Sequence, residues 1–201
     1  MLWTSTGDTL QDPSGTTFWY DPGAACLDLA YTGGDGPLAK FERLTDAASW
    51  VAWFAQPARS IPLDSSPGPA SIGRARRLRE VIRSIAAALA DGTCPEPALI
   101  AELNAAAARP ALSAALASVQ GSLQRTFTGP ITLDRASASL ASDAVELFAH
   151  TPAGRIRTCS ADGCPLVFVD TSRPGTRRWC AMERCGNRAK VRQFRRRPAE
   201  A

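Results

Sequence analysis

The chain has 201 residues, of which 45% are hydrophobic and 21% charged, a composition that provides for one packed core plus a small module and excludes a disordered or fibrous protein. No apolar run approaches the ~20 residues needed to cross a membrane, and the opening MLWTSTGDTLQDPSG lacks the basic-then-apolar order of a secretion signal; a soluble cytoplasmic protein with reduced cysteines is expected. The net charge of +4 is unevenly spread: residues 1–154 hold 11 basic and 15 acidic side chains, a net −4, while residues 155–197 hold 12 and 3, a net +9. Such a concentration of positive charge attracts polyanions through counterion release.

Residues 1–24, rich in Gly, Pro, Thr and Asp, read as an irregular lead-in. A mostly helical domain follows over 25–152. Ala25–Tyr31 is a short apolar helix, and Gly33, Gly34, Gly36 and Pro37 make a loop. Thr45 or Asp46 caps a helix over Ala47–Ala55 that Pro57 ends. From Ala70 to Ala90, Leu78, Ile82, Ile85 and Leu89 recur at helical spacing. The arginines at 74, 76, 77, 79 and 83 read as a solvated face of that helix, paired in part with Glu80. Pro95 and Pro97 suit the first turn of another helix, reaching Ala108. Leu116–Leu133, with Gly121 and Gly129-Pro130, reads as a small hairpin. Asp134 or Ser137 starts a last helix whose apolar face holds Leu140, Ala144, Leu147 and Phe148, and Pro152-Ala153-Gly154 forms a joint.

Cys159, Cys164, Cys180 and Cys185 then form two C-x4-C pairs fifteen residues apart. Two knuckles complete a tetrahedral thiolate set, which suits one structural zinc ion, since a closed shell leaves no place for substrate. An iron–sulfur cluster also takes four thiolates, and two disulfides are the remaining reading. Cys26 and Cys94 read as small buried residues; His150 stands outside the four-ligand pattern. Leu166–Asp170 is a strand between the pairs, and Phe168 and Trp179 cover the metal core. From Cys185 to Arg197 runs a helix with Arg188, Arg192, Arg195 and Arg196 on one stripe, Lys190 nearby, and Val191 and Phe194 turned toward the core. A basic helix of this kind fits the DNA major groove, and Arg173, Arg177 and Arg178 add positive charge from the preceding turn.

Phe168, Asp170, Ser172-Arg173, Arg177-Arg178-Trp179-Cys180, Met182, Cys185-Gly186-Asn187-Arg188 and Lys190 together closely resemble the CGNR zinc finger family, here over residues 155–198. Upstream, Cys26-Leu27-Asp28-Leu29 with Thr32, the Trp50 helix, Leu78-Arg79-Glu80, Leu103-Asn104 and the helix ending at Phe148 are similar to the ABATE domain, although Tyr31 stands where that family carries Asn. The resemblance implies an α+β, predominantly α protein with a treble-clef-like finger, one structural Zn2+, and a bacterial stress-induced transcription regulator. DNA is the expected partner, contacted by Arg173, Arg177, Arg178, Arg188, Lys190, Arg192, Arg195 and Arg196. The N-terminal domain is expected to sense a small-molecule effector or to form a homodimer, with the protein nucleoid-associated in the cytoplasm. An RNA-binding or ribosome-associated zinc protein is the alternative, although Phe168, Trp179 and Phe194 offer few platforms for base stacking. No enzyme is expected: Asp28, Asp46, Glu80 and Glu102 form no catalytic motif, and no glycine-rich phosphate loop is present.

Overall fold

The computed structural model describes residues 6–11 and 15–196, with side chains through Arg192. The expected irregular lead-in instead contains a hairpin, in which β1 (Asp8–Gln11) pairs antiparallel with β2 (Thr17–Tyr20). Its alternation is real but only four residues long on each side: Leu10, Phe18 and Tyr20 are buried, whereas Trp19 faces outward. A run that short carries too little periodicity to stand out in Gly- and Thr-rich sequence.

α1 (Ala25–Ala30) follows with all six side chains buried. The chain then passes through a 3-10 turn, Gly36–Phe41, to α2 (Ala47–Ala55). The start of α2 is fixed by a reciprocal capping box: the Ser49 N–H donates to Asp46 Oδ1 at 2.8 Å, and the Asp46 N–H donates to Ser49 Oγ at 3.1 Å. Trp50, Trp53 and Phe54 carry α2 into the core.

The body is built around α3 (Pro69–Ala90), flanked by α4 (Pro97–Ala107) and α5 (Leu133–His150). Leu78, Ile82 and Ile85 are buried, as their helical spacing predicts. Arg74, Arg76 and Arg77 are exposed and Arg83 pairs with Glu80, as expected, but the arginines of α3 also reach partners on other elements. Arg74 makes a two-pronged pair with Asp134 of α5 at 2.8 and 2.9 Å, and Arg77 grips Glu102 of α4 at 2.6 and 2.7 Å. Arg79, 4% exposed, lies between Thr32 and Glu42, 2.8 Å from the Glu42 carboxylate. These forks fix the register of three helices, and a helix-face pattern alone cannot show partners on other helices.

β3 (Ser113–Val119) and β4 (Ser122–Thr128) form the expected hairpin, with Gln120 and Gly121 both at positive φ, 48° and 78°, as a two-residue turn requires. α5 begins earlier than expected: Thr132, not Asp134 or Ser137, is the cap, its hydroxyl accepting from the Arg135 N–H at 3.3 Å. Asp134 is instead the partner of Arg74. After the joint at 152–154 come β5 (Ile156–Thr158) and β6 (Val167–Val169), paired antiparallel, then a π-type turn, Met182–Gly186, and α6 (Asn187–Arg196). Buried residues from both ends, including Leu10, Phe18 and Tyr20 with Leu166, Val167 and Phe168, belong to one continuous core.

Candidate metal centre and basic face

Backbone-to-backbone hydrogen bonds position Cys159, Cys164 and Cys185. The Cys159 N–H donates to the Leu166 carbonyl at 2.9 Å, closing the knuckle at the end of β5, and the Cys164 N–H donates to the Ala161 carbonyl at 3.0 Å. In the π-type turn, the Cys185 and Gly186 N–H groups both donate to the Ala181 carbonyl, at 3.0 and 3.2 Å. A Cβ at Gly186 would lie 2.4 Å from Met182 Sδ and 3.2 Å from Trp179 Cδ1, so a larger residue there would push the Met182 side chain aside. The Cys180 N–H points at Cys159 Sγ, 3.4 Å away.

These constraints gather the four buried sulfurs within 4.8 Å of one another. Cys164 and Cys180 are 3.8 Å apart, and Cys180 and Cys185 are 3.5 Å apart. Zn–S bonds of ~2.3 Å in a tetrahedron require sulfur separations of about 3.8 Å, so the set fits a single ion. All six cysteines are free thiols, which removes the disulfide reading, and the gap between the sulfurs has no room for several iron and sulfide atoms. The thiols titrate as a unit. Hydrogen bonding with Cys164 and Cys180 pulls Cys159 down to about 6. Cys185 is held well below the usual thiol range by its three neighbours, while Cys164 and Cys180 are pushed up, chiefly by Cys159. Bound zinc supplies structural charge at the centre, with the four thiolates as its ligands.

The CGNR zinc finger model matches residues 155–198, and the ABATE model, described as a putative stress-induced transcription regulator, matches residues 23–151, more than half of the chain. The chain belongs to the ABATE family and ends in a CGNR zinc finger. A search of curated proteins finds no match. The β1–β2 hairpin lies outside both matched regions, yet it closes the finger. The Tyr20 hydroxyl donates to the Val167 carbonyl, and the Val169 N–H donates to the Pro22 carbonyl at 2.8 Å.

The basic side chains of the CGNR finger divide by what they touch. Arg177, expected on phosphates, is committed to the fold. Its guanidinium donates to the Trp179, Cys180 and Asp21 carbonyls at 3.0, 2.7 and 2.8 Å and lies 4.1 Å from the Phe168 ring centre. Arg188 is exposed, but its Nη2 reaches to 3.4 Å from Cys185 Sγ. Arg192 is exposed and paired with Asp162. Arg173, Arg178 and Lys190 are exposed, Arg178 lying over the half-buried Trp179. Arg195 and Arg196 lie on α6, but their side chains and that of Phe194 fall outside the described residues. Val191, expected to pack on the metal core, is 49% exposed.

Sequence reasoning overlooked Arg184. It is buried, its guanidinium carbon lies 4.7 Å from the centre of the Phe18 ring, and its Nη1 is 3.6 and 3.9 Å from the Cys185 and Cys164 sulfurs. Its place beside Cys185 was the only available signal. Phe168 is fully buried, with Arg177 over its ring. Cys26 is buried, but Cys94 is exposed, on the loop between α3 and α4. His150 is exposed and paired with Glu146 at 3.3 Å, away from the four-sulfur set.

Proposed function

We propose that this ABATE–CGNR protein is a zinc-dependent DNA-binding regulator that presents α6 to the major groove. The observation that carries this reading is the exposure of the described basic side chains of α6. The main packing of this helix is against the π-type turn at its root, leaving Lys190, Val191 and Arg192 exposed. A helix that presents basic side chains to solvent is sterically and electrostatically suited to a groove about 12 Å wide.

Arg178, Arg173 and Lys190 are the available phosphate contacts, while Arg192 would exchange Asp162 for DNA. The net −4 of residues 1–154 favours an orientation with the body away from the duplex. A single finger covers few base pairs, so a homodimer reading two half-sites belongs to this proposal. No catalysis is assigned to the body. The RNA alternative is weaker because Phe168 is buried and Trp179 is half-buried beneath Arg178, which leaves little aromatic surface for base stacking among the described side chains of the finger.

The test is selection of binders from a random duplex pool by the zinc-loaded full chain, with an Arg178→Ala/Lys190→Ala variant alongside. Enrichment of a short motif by the parent supports the proposal. Recovery without any motif, or preference for single-stranded RNA, overturns it. Each lost phosphate contact should also lower the slope of log K against log salt by roughly 0.9.

A further inference from the structure

The β3–β4 hairpin forms a sheet of two strands only, so both of its outer edges are open among the described residues. Arg125 ties it to the body, donating to the Arg59 carbonyl at 2.7 Å. Leu116 and Leu123, by contrast, are 73% and 75% exposed. The register runs without a bulge from Ser113 opposite Thr128 to Val119 opposite Ser122. The two seven-residue strands contain no proline and a single charge, that of Arg125. Charged side chains, prolines and bulges are what ordinarily keep an open edge from pairing with another chain. On β3 all three are missing.

The ladder decides which backbone groups point outward. In a two-residue hairpin the residues that flank the turn, here Val119 and Ser122, exchange hydrogen bonds, and so does every second pair after them. Ala114, Leu116 and Ser118 therefore turn their N–H and C=O groups away from β4, and no described residue takes them up. Their side chains share one face with Leu123, which lies opposite Ser118 and diagonal to Leu116, close enough for the two leucines to interact. This edge is complementary to itself. Antiparallel pairing with a second copy across a two-fold axis sets Leu116 opposite its own equivalent and Ala114 opposite Ser118, and it gathers four leucines on one face. The same operation on the outer edge of β4 centres on Arg125 and opposes two like charges, which is destabilising.

We infer that the outer edge of β3 is a homodimer interface, through which two copies join their hairpins into one four-stranded antiparallel sheet. A second copy fits better than a different partner because the edge offers no charge by which one could be recognised, whereas it matches itself residue for residue. The leucines and the paired edges together bury on the order of 1,000 Å², the low end of specific interfaces. The dimer is accordingly weak, with a dissociation constant on the order of 10 μM, and the hairpin is open in the submicromolar solutions used for fluorescence-detected unfolding. Two fingers held in this way would read two half-sites. That consequence rests on the DNA-binding reading, but the association does not.

Sedimentation of the zinc-loaded full chain without DNA, from roughly 1 to 200 μM, separates the two. The parent should pass from monomer to dimer over this range. Leu116→Lys and Leu116→Asp should each weaken self-association at least tenfold, since each opposes two like charges across the axis. An equimolar mixture of the two variants should associate to within about threefold of the parent, because opposite charges then meet at the same place. Leu116 is exposed, so neither substitution disturbs the folded monomer, and restored association in the mixture shows that both keep the hairpin. A parent that stays monomeric throughout, variants that dimerise as the parent does, or a mixture that associates no better than either variant alone overturns the assignment. Failure of the duplex selection alone would leave it standing, and a monomeric parent that still enriches a motif would sink the interface without touching DNA binding.

Discussion

Four thiolates around Zn2+ carry a net charge of −2, and placing that charge in a protein core is costly unless cations accompany it. Arg184 and Arg188 supply them, the first from within the core beneath Phe18 and the second from the solvent side of Cys185. Arg184→Gln should therefore weaken zinc retention by ~10- to 100-fold, the usual scale for residues that support metal ligands; competition with a chromophoric chelator measures it. Unchanged retention would reduce the guanidinium to a packing role. A second buried charge sets a pH dependence. Burial pushes the Asp28 carboxyl up to about 7, against the pull of Arg59 and the Gly7 N–H. The folded chain thus holds this proton more tightly than the unfolded chain does. The associated stabilisation is complete below pH ~4 and is lost as pH rises through 7. The melting temperature of the parent, relative to Asp28→Asn, should fall between pH 5 and 8; a constant difference would contradict the burial argument. The four ligands were legible because metal coordination writes its spacing into the local sequence. Arg184 was not legible, since in a charge count it looks like every other arginine and its ring partner lies at the far end of the chain.

Among the elements, those whose signals are local were read correctly. The Asp46–Ser49 box places the start of α2, and the Leu78, Ile82 and Ile85 spacing gives α3. Elements whose ends depend on remote partners were misplaced. Thr132 takes the cap of α5 because Asp134 is drawn to Arg74, and the β1–β2 hairpin exists because the finger covers its apolar face. The β3–β4 hairpin was foreseen from its turn residues, but its exposure was not: Leu116 and Leu123 remain 73% and 75% exposed. Leu116→Ser should then change stability by less than about 0.5 kcal/mol. Leu140→Ala, at a fully buried position of α5, should cost about 2–5 kcal/mol. Denaturant titration of the two variants checks the contrast, and a large loss at Leu116 would mean that the hairpin is covered in solution.

At the scale of the molecule, the finger and the body are not beads on a string. Tyr20, Pro22 and Asp21 bond to Val167, Val169 and Arg177, and the apolar core runs through both. Removing zinc by chelation should therefore lower the stability of the whole chain in one transition. Helical circular dichroism and tryptophan fluorescence, which samples Trp50 and Trp53 in the body as well as Trp179, should melt together. Two separated transitions would show the units to be independent. The same closure has a consequence during synthesis. The first strands emerge from the ribosome early, yet their partners lie some 150 residues downstream and are set only when the last cysteine has been made and the ion captured. Until then Phe18 and Tyr20 have no finger to cover them. A chain cut short before Cys185, or made in a metal-starved cell, would display that sticky surface to chaperones and proteases, so zinc supply acts as a final quality check on the entire polypeptide.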